Sequence, residues 1–343
     1  MGIFYVSLFV SFIILFFVNV VWGGINLYSW SLNGLQFLLE GMNFIERISA
    51  AIFLKWIILA DIIWLVTLGI FLFSRKKFKT DTKLHYLKYT PIEIPTICVI
   101  LPTYNEEEGV EFVIKDFQNQ KNVKEVIVID NHSSDNTVKI AKQCDATVIE
   151  KSKNMGISHS CLIGFKKALE SDCNVIAITE SDRSHNGYDL PRLVSFLDNC
   201  DEVIGTRQIQ VLSEKGNQNG MLHVWGNMFL AKLVQLKYFS LQHMGILELT
   251  DIGCLYRCFR KKSLEKIIFD IEKVAKSYEI KEQKHHFSPF AVLLTMISVE
   301  NDLKIIEVPV TFKKRVGTSK SNVTKKFNAI SYGLSFIWTI IKR

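Results

Sequence analysis

A chain of 343 residues with 41 basic and 34 acidic side chains, net charge +7, is long enough for one large core plus an accessory part. Its charge suits an anionic partner: nucleic acid, lipid headgroups or a phosphorylated substrate. The basic residues bunch at Arg75–Lys79, Lys313–Arg315 and Lys325–Lys326, each beside an apolar segment, which favours a membrane surface over nucleic acid, and seven scattered cysteines without a CxxC pair read as buried free thiols in a reducing compartment, with no zinc site.

Residues 3–22 carry no charge and are long enough to cross ~30 Å of hydrocarbon as a helix. A cleaved signal peptide is disfavoured, because neither a basic n-region nor a small-residue cleavage site is present. The run Ile48–Phe73 is as long but holds Lys55 near one end and Asp61 near its middle. A carboxylate at that depth must face protein or water, so a polar contact with the first helix near Asn19 is expected, and self-association of these helices is a second way to partner it. Arg75-Lys76-Lys77-Phe78-Lys79 follows at once, and the excess of positive charge places that side in the cytoplasm. The reading is a membrane anchor over 1–80 with crossings at about 3–22 and 48–73. It leaves an integral membrane protein whose N-terminus and whole chain beyond residue 75 are cytoplasmic.

Pro91 and Pro95 mark 81–95 as an extended linker. From there strand and helix patterns alternate. Ile97–Leu101, Val126–Ile129, Ala146–Ile149, Val175–Thr179 and Glu202–Ile204 read as strands. Residues 106–120, a segment ending at Gln143, Gly156–Glu170 and Asp189–Leu197 read as helices. Short connections between them predict an α/β fold, a mostly parallel sheet covered by helices on both faces, over 96–320.

The strand ends carry the chemistry. Pro102-Thr103-Tyr104-Asn105-Glu106 follows the first strand, Asp130-Asn131-His132-Ser133-Ser134-Asp135 the second, and Glu180-Ser181-Asp182 the fourth. In an open parallel sheet these tips share one edge, where ligands bind. An aromatic ring and carboxylates (Tyr104, Glu106, Asp130) suit a nucleobase and ribose. Glu180 and Asp182 are hard oxygen donors suited to a divalent cation on a diphosphate. No GxGxxG follows the first strand and no GxxxxGK[ST] is present, which argues against a dinucleotide cofactor and against a P-loop.

With these motifs in place, the sequence resembles inverting glycosyltransferases of family 2, which have the nucleotide-sugar-binding GT-A fold. Within them it is most similar to dolichyl- or polyprenyl-phosphate sugar synthases. The resemblance rests on VILPTYNEEEGV (99–110), VIVIDNHSSDNT (126–137), Asn154-Met155-Gly156 before a helix with Gly164, the Glu180-Ser181-Asp182 triplet, VIGTR (203–207), TDIGCLYR (250–257) and RVGTSK (315–320). It implies that Pro102, Tyr104, Asn105, Glu106, Asp130, Asn154, Gly156, Glu180 and Ser181 bind the donor. Glu180, Asp182 and Ser184 would hold Mg2+ or Mn2+. Arg207 and Arg315 would face phosphates together with Ser319, Lys320 and, where a second arginine is common, His223. Asp182, Asp251, Arg207 and Arg315 are the catalytic candidates. Two departures stand out: the family's first metal-site residue is usually Asp, where this chain has Glu180, and the usual Asp-Asp after the second strand is Asp130-Asn131.

The acceptor decides what catalysis needs. A sugar hydroxyl requires a general base, for which Asp251 is the candidate unless it only caps the turn before Gly253. A phosphate monoester, with a second pKa of about 6, is already ionised. Met221–Phe239 and Phe327–Ile341 are apolar yet flanked or studded with Lys, Arg or His. They are expected to lie in the membrane surface, the first having a buried core helix as its rival and the second forming a C-terminal helix within 321–343. The leading expectation is transfer from a UDP- or GDP-sugar to a polyprenyl or dolichyl phosphate at the cytoplasmic leaflet. Transfer to a saccharide or glycolipid hydroxyl, and nucleotide-sugar binding without turnover, are the alternatives.

Overall fold

The computed structural model describes residues 11–24, 52–74, 89–214, 221–238, 248–285, 288–317 and 326–343. The chain divides into two compact units, one of 1–77 with 341–343 and one of 78–340.

In the first unit, helix α1 (11–24) and helix α2 (Ile52–Ser74) are linked by Asn19 Nδ2 donating to Asp61 Oδ1 at 3.4 Å. This is the expected polar partner for the mid-helix carboxylate. The rings of Phe12 and Trp64 meet at 5.7 Å, while Phe16, Trp56, Ile63 and Leu65 remain exposed. Side chains of α2 are described from residue 56 to residue 70, and among the described residues no helix is long and apolar enough to cross a membrane. The first part of the 3–22 segment, the stretch 48–51 and the basic run Arg75–Lys79 lie outside the described residues.

The second unit runs β1 (Ile97–Thr103), α3 (Val110–Gln118), β2 (Val123–Asp130), α4 (Thr137–Gln143), β3 (Thr147–Glu150), α5 (Ile157–Glu170), β4 (Val175–Ile178), α6 (Leu190–Phe196), β5 (Glu202–Thr206), α7 (Met221–Tyr238), β6 (Arg257–Arg260), α8 (Lys261–His285), α9 (Phe290–Glu300), β7 (Ile305–Pro309) and α10 (Lys326–Lys342). The seven strands form one sheet in the order β3-β2-β1-β4-β6-β5-β7. Strands β1 to β4 pair in parallel, as do β5 and β7. Strand β6 alone is reversed, antiparallel to β4 and β5. The expected mostly parallel sheet is therefore present. All seven residues of β1 are buried, so both faces of the sheet are covered there, as its unbroken apolar run predicts.

The first expected helix begins later than its pattern suggests, at Val110, because Glu106 to Gly109 form a turn in which the Gly109 and Val110 amides donate to the Glu106 carbonyl. Helix α5 lies against β1 and β2 at a distance only glycine allows. A Cβ on Gly164 would come within 2.3 Å of Ile100 Cγ2 and 3.3 Å of Ile129 Cγ1. Helix α7 buries Leu230, Ala231, Leu233 and Val234 in the core, as its buried-helix reading expects, and leaves Trp225, Met228 and Phe229 exposed. Lys237 on this helix donates from Nζ to the Ile340 carbonyl of α10 at 2.6 Å.

Because only β6 is reversed, one edge of the sheet collects the carboxyl ends of β1, β2, β4, β5 and β7 and the start of β6. Every strand-end motif of the sequence opens on that edge.

Candidate active site

Three connections at this edge turn through residues with left-handed backbone: Asn105 (φ 52°), His132 (φ 68°) and Arg183 (φ 65°). Non-glycine residues adopt this conformation at a cost and cluster at functional sites. Beyond β1, the Asn105 amide donates to Ser133 Oγ at 2.9 Å, and Asn105 Oδ1 accepts from the Ser134 amide at 2.8 Å. The Glu106 amide donates to Thr137 Oγ1 at 2.9 Å. Beyond β2, Asp130 Oδ2 accepts from the amides of His132 and Ser133, each at 3.0 Å. Asp130 Oδ1 is buried with no hydrogen-bond partner, which leaves a strong acceptor unsatisfied at this strand end. Pro102 offers its carbonyl to Ser181 Oγ at 3.1 Å, tying the first and fourth strand ends together.

Asn131 Nδ2 donates to Asn154 Oδ1 at 2.8 Å, and the Gly156 amide donates to the same oxygen at 3.0 Å. The Met155 amide donates to Asn131 Oδ1 at 3.0 Å. Gly156 has φ 84°, a value its lack of a side chain permits at the start of α5. Asn131, noted in the sequence only as a lost charge, is thus a cross-link between the β2 and β3 connections. A carboxylate in its place could not donate to Asn154.

The late basic motif reaches this acidic edge. Arg315 Nη2 donates to Glu106 Oε1 at 2.9 Å, and Nη1 lies 3.6 Å from Asp182 Oδ2. Its loop is pinned by backbone: the Lys313 amide donates to the Ser184 carbonyl at 2.8 Å and the Val316 amide to the Asp182 carbonyl at 3.0 Å. Residues 318–325, with Ser319 and Lys320, lie outside the described residues, as does the side chain of His223.

Asp251 is fully buried and both its oxygens are taken by Arg207. Oδ2 accepts from the Arg207 amide at 3.1 Å and from Nε at 2.7 Å, and Oδ1 accepts from Nη2 at 2.9 Å. Burial raises the Asp251 carboxyl, but Arg207 outweighs it and holds it below the ordinary value. Asp251 is therefore neither a turn cap alone nor a free base in this structure. It clamps a guanidinium.

Four residues here escaped the sequence reading. Glu307 on β7 accepts from the Thr250 amide and hydroxyl, both at 2.7 Å, and from the Asp251 amide at 3.0 Å, fixing the clamp from below. Glu202 and Arg257, both fully buried, pair at 2.9 Å, and Arg257 also donates to the carbonyls of Ile252 and Cys254. Buried His185 stands between Tyr256 and Phe312, at ring separations of 5.2 and 5.5 Å. Its Nε2 is 2.9 Å from Glu180 Oε2. Burial lowers the imidazole pKa, yet Cys254 and Glu180 beside it carry it up to about 10. Glu180 is correspondingly held below the ordinary value: burial raises it, and His185, Arg207 and Arg315 more than offset that. No local pattern flags these four, since their partners lie far off in the chain or inside an apolar setting.

Among the described residues, no group of three or more His, Cys, Asp or Glu side chains is arranged to hold a metal ion. The donors present nevertheless fit Mg2+ or Mn2+ shared with a diphosphate, which takes one or two protein carboxylates and completes its shell from phosphate oxygens and water. Asp182 supplies an oxygen at the crevice, Glu180 stands one residue away, and Ser184 Oγ is buried with no hydrogen-bond partner.

Residues 98–268 match the family described as glycosyl transferase family 2. The chain is 27% identical over 249 residues to a polyprenol monophosphomannose synthase of Mycolicibacterium smegmatis, covering 69% of this chain and 86% of that protein. It is 26% identical over 233 residues to a UDP-N-acetylglucosamine–dolichyl-phosphate N-acetylglucosaminyltransferase of Methanococcus voltae, covering 62% and 84% respectively. Among solved structures, glucosyl-3-phosphoglycerate synthase of Mycobacterium tuberculosis in complex with Mn2+, UDP and glucosyl-3-phosphoglycerate is similar with a TM-score of 0.48 at 14% identity, covering 72% of this chain and 80% of that one.

Proposed function

The chain belongs to glycosyltransferase family 2 through residues 98–268, and on that premise we propose that it moves a sugar from a UDP- or GDP-sugar to a polyprenyl or dolichyl phosphate. The observation that carries this reading is Arg315, which reaches from beyond β7 to both Glu106 and Asp182. A guanidinium among carboxylates at the mouth of a nucleotide crevice is suited to phosphate oxygens once a ligand draws it away.

The residues divide the work by charge. Asp130 Oδ1, Tyr104 and the turn at Asn154 and Gly156 receive the nucleoside. Glu180, Asp182 and Ser184 would hold Mg2+ or Mn2+, which when bound offsets charge on the departing diphosphate. Arg207 is kept in place by Asp251, and Arg315 is carried by its pinned loop. Arg207 stabilises phosphate charge without reorganising, whereas Arg315 exchanges Glu106 and Asp182 for phosphate oxygens. Ser319, Lys320 and His223 belong to the acceptor phosphate in this reading. A hydroxyl acceptor would need a base. Asp251, its candidate, is committed to Arg207 on both oxygens, whereas an ionised phosphate acceptor asks for none. Both relatives carry a polyprenyl or dolichyl phosphate in their names while naming different sugars, which favours the acceptor class and leaves the sugar open.

Membrane attachment through the 1–80 segment, with the catalytic unit in the cytoplasm, completes the proposal. It is supported by the exposed apolar residues of α1 and α2 and by the Arg75–Lys79 run. The test is to incubate the full chain in membranes with polyprenyl phosphate and a panel of UDP- and GDP-sugars. An organic-soluble sugar-lipid is expected with at least one donor. If none forms with any, while a saccharide acceptor is glycosylated, the acceptor assignment is wrong.

A further inference from the structure

Glu180 is one methylene longer than the aspartate usual at its position, and the extra length is spent inward. Its Oε2 is 2.9 Å from His185 Nε2, an ion-pair contact between two buried atoms that lies outside hydrogen-bond geometry and leaves neither with a hydrogen-bond partner, and Glu180 is only partly exposed, with 31% of its side-chain surface open. His185 cannot follow a ligand outward: it has no exposed side-chain surface and packs against the rings of Tyr256 and Phe312. Both rings belong to elements that close the crevice. Tyr256 precedes β6 and donates to the Asn186 carbonyl at 3.1 Å. Phe312 precedes the Arg315 loop and also lies 5.1 Å beneath the Arg207 guanidinium. The imidazole is therefore held in a buried, ring-packed position beside Glu180.

We propose that His185 is a positioning residue that fixes the Glu180 carboxylate, so that Asp182 is the primary protein ligand of the divalent cation and Glu180 is shared between the imidazole and that cation. The inference rests on the reading of Glu180 and Asp182 as the cation's holders. Groups that orient a carboxylate ligand from behind are worth about 10- to 100-fold in metal affinity.

The experiment measures Mn2+ affinity of the full chain in detergent by electron paramagnetic resonance, with UDP in one arm and GDP in the other. His185→Phe keeps a ring between Tyr256 and Phe312 but removes the nitrogen; it is expected to weaken Mn2+ by about 10- to 100-fold. His185→Gln, which places a donor amide near the Nε2 position, is expected to restore most of that loss. In a Glu180→Gln background, His185→Phe should cost nothing further, because the two side chains act as one unit.

Unchanged Mn2+ affinity in His185→Phe, an equal loss in the Glu180→Gln background, or no Mn2+ binding by the unaltered protein in either arm overturns the inference. Should His185→Phe fail to fold, imidazole 15N resonances of the unaltered protein decide. A shift of His185 on adding Mg2+ with nucleotide supports the shared carboxylate, and a fixed resonance refutes it. These readouts need no lipid product, so a negative sugar-lipid assay beside the expected Mn2+ series would remove only the acceptor assignment.

Discussion

The two halves of the sheet bring charge to the crevice by different means. On the β3–β2–β1–β4 side, polar groups are fixed by neutral donors and acceptors: Asp130 by the amides of His132 and Ser133, Asn105 by Ser133 and Ser134, Asn154 by Asn131 and Gly156. On the β6–β5–β7 side, acid is matched to base: Asp251 to Arg207 and Glu202 to Arg257. The first half is built to receive hydrogen-bond donors; the second pairs carboxylates with guanidinium groups and serves to aim one of them. Arg315 crosses from the second to the first.

This contrast can be broken most forcefully at Arg257. Arg257→Ala leaves the Glu202 carboxylate buried without its partner, and a loss of about 3–5 kcal/mol in urea unfolding is expected. A loss below about 1 kcal/mol would mean that the pair is not what holds the second half together. Asp251→Asn strikes the aim rather than the frame. Removing its charge is expected to cost turnover about 1.5–3 kcal/mol, or about tenfold to a hundredfold, with nucleotide affinity nearly unchanged. Equal loss of nucleotide affinity would erase the division of labour between the halves.

Gly164→Ala tests the other half. Forcing a methyl against Ile100 should cost about 1–3 kcal/mol and weaken nucleotide binding by displacing the Asn154–Gly156 turn, while leaving acceptor saturation alone. Acidification is the mildest lever. Because the Asp251 carboxyl is depressed in the folded protein, its contribution to stability is present above the ordinary carboxyl value and fades as the pH falls through the depressed one. The stability difference between the unaltered protein and Asp251→Asn should therefore shrink on acidification; a gap that widens contradicts the ion pair.

The same contrast explains what could be read from the chain before its fold was known. Strands β1 to β5, their order of alternation and the residues at their tips are legible because apolar runs end in turn-forming Asn, Asp and Ser within a few positions. Asn19 as partner to Asp61 was legible too, since a mid-helix carboxylate has few choices. The reversed strand β6 was not. Arg257-Cys258-Phe259-Arg260 has charged ends and two apolar positions, and its strand character comes from being wedged between β4 and β5. Glu307 reads as an ordinary acidic residue until Thr250 and Asp251 fold over it. His185 follows Glu180-Ser181-Asp182 by three residues, but only burial between two rings distinguishes it from a turn histidine. Asp251 was found as a residue, but its bidentate partner 44 positions away was not, because neither a cap nor a base calls for one.

The placement of β5 carries a consequence for biogenesis. Both of its neighbours are made later than it is, since β6 begins at Arg257 and β7 at Ile305. While the ribosome is producing the next fifty or so residues, at about 5–20 per second, Glu202–Thr206 has no strand to pair with on either side, and its β7 side stays open until Ile305 is made. An unpaired apolar strand is a template for unwanted association. A chain halted before Ile305 would keep that edge open, so late truncations are expected to be lost to aggregation or proteolysis rather than to accumulate as inactive protein.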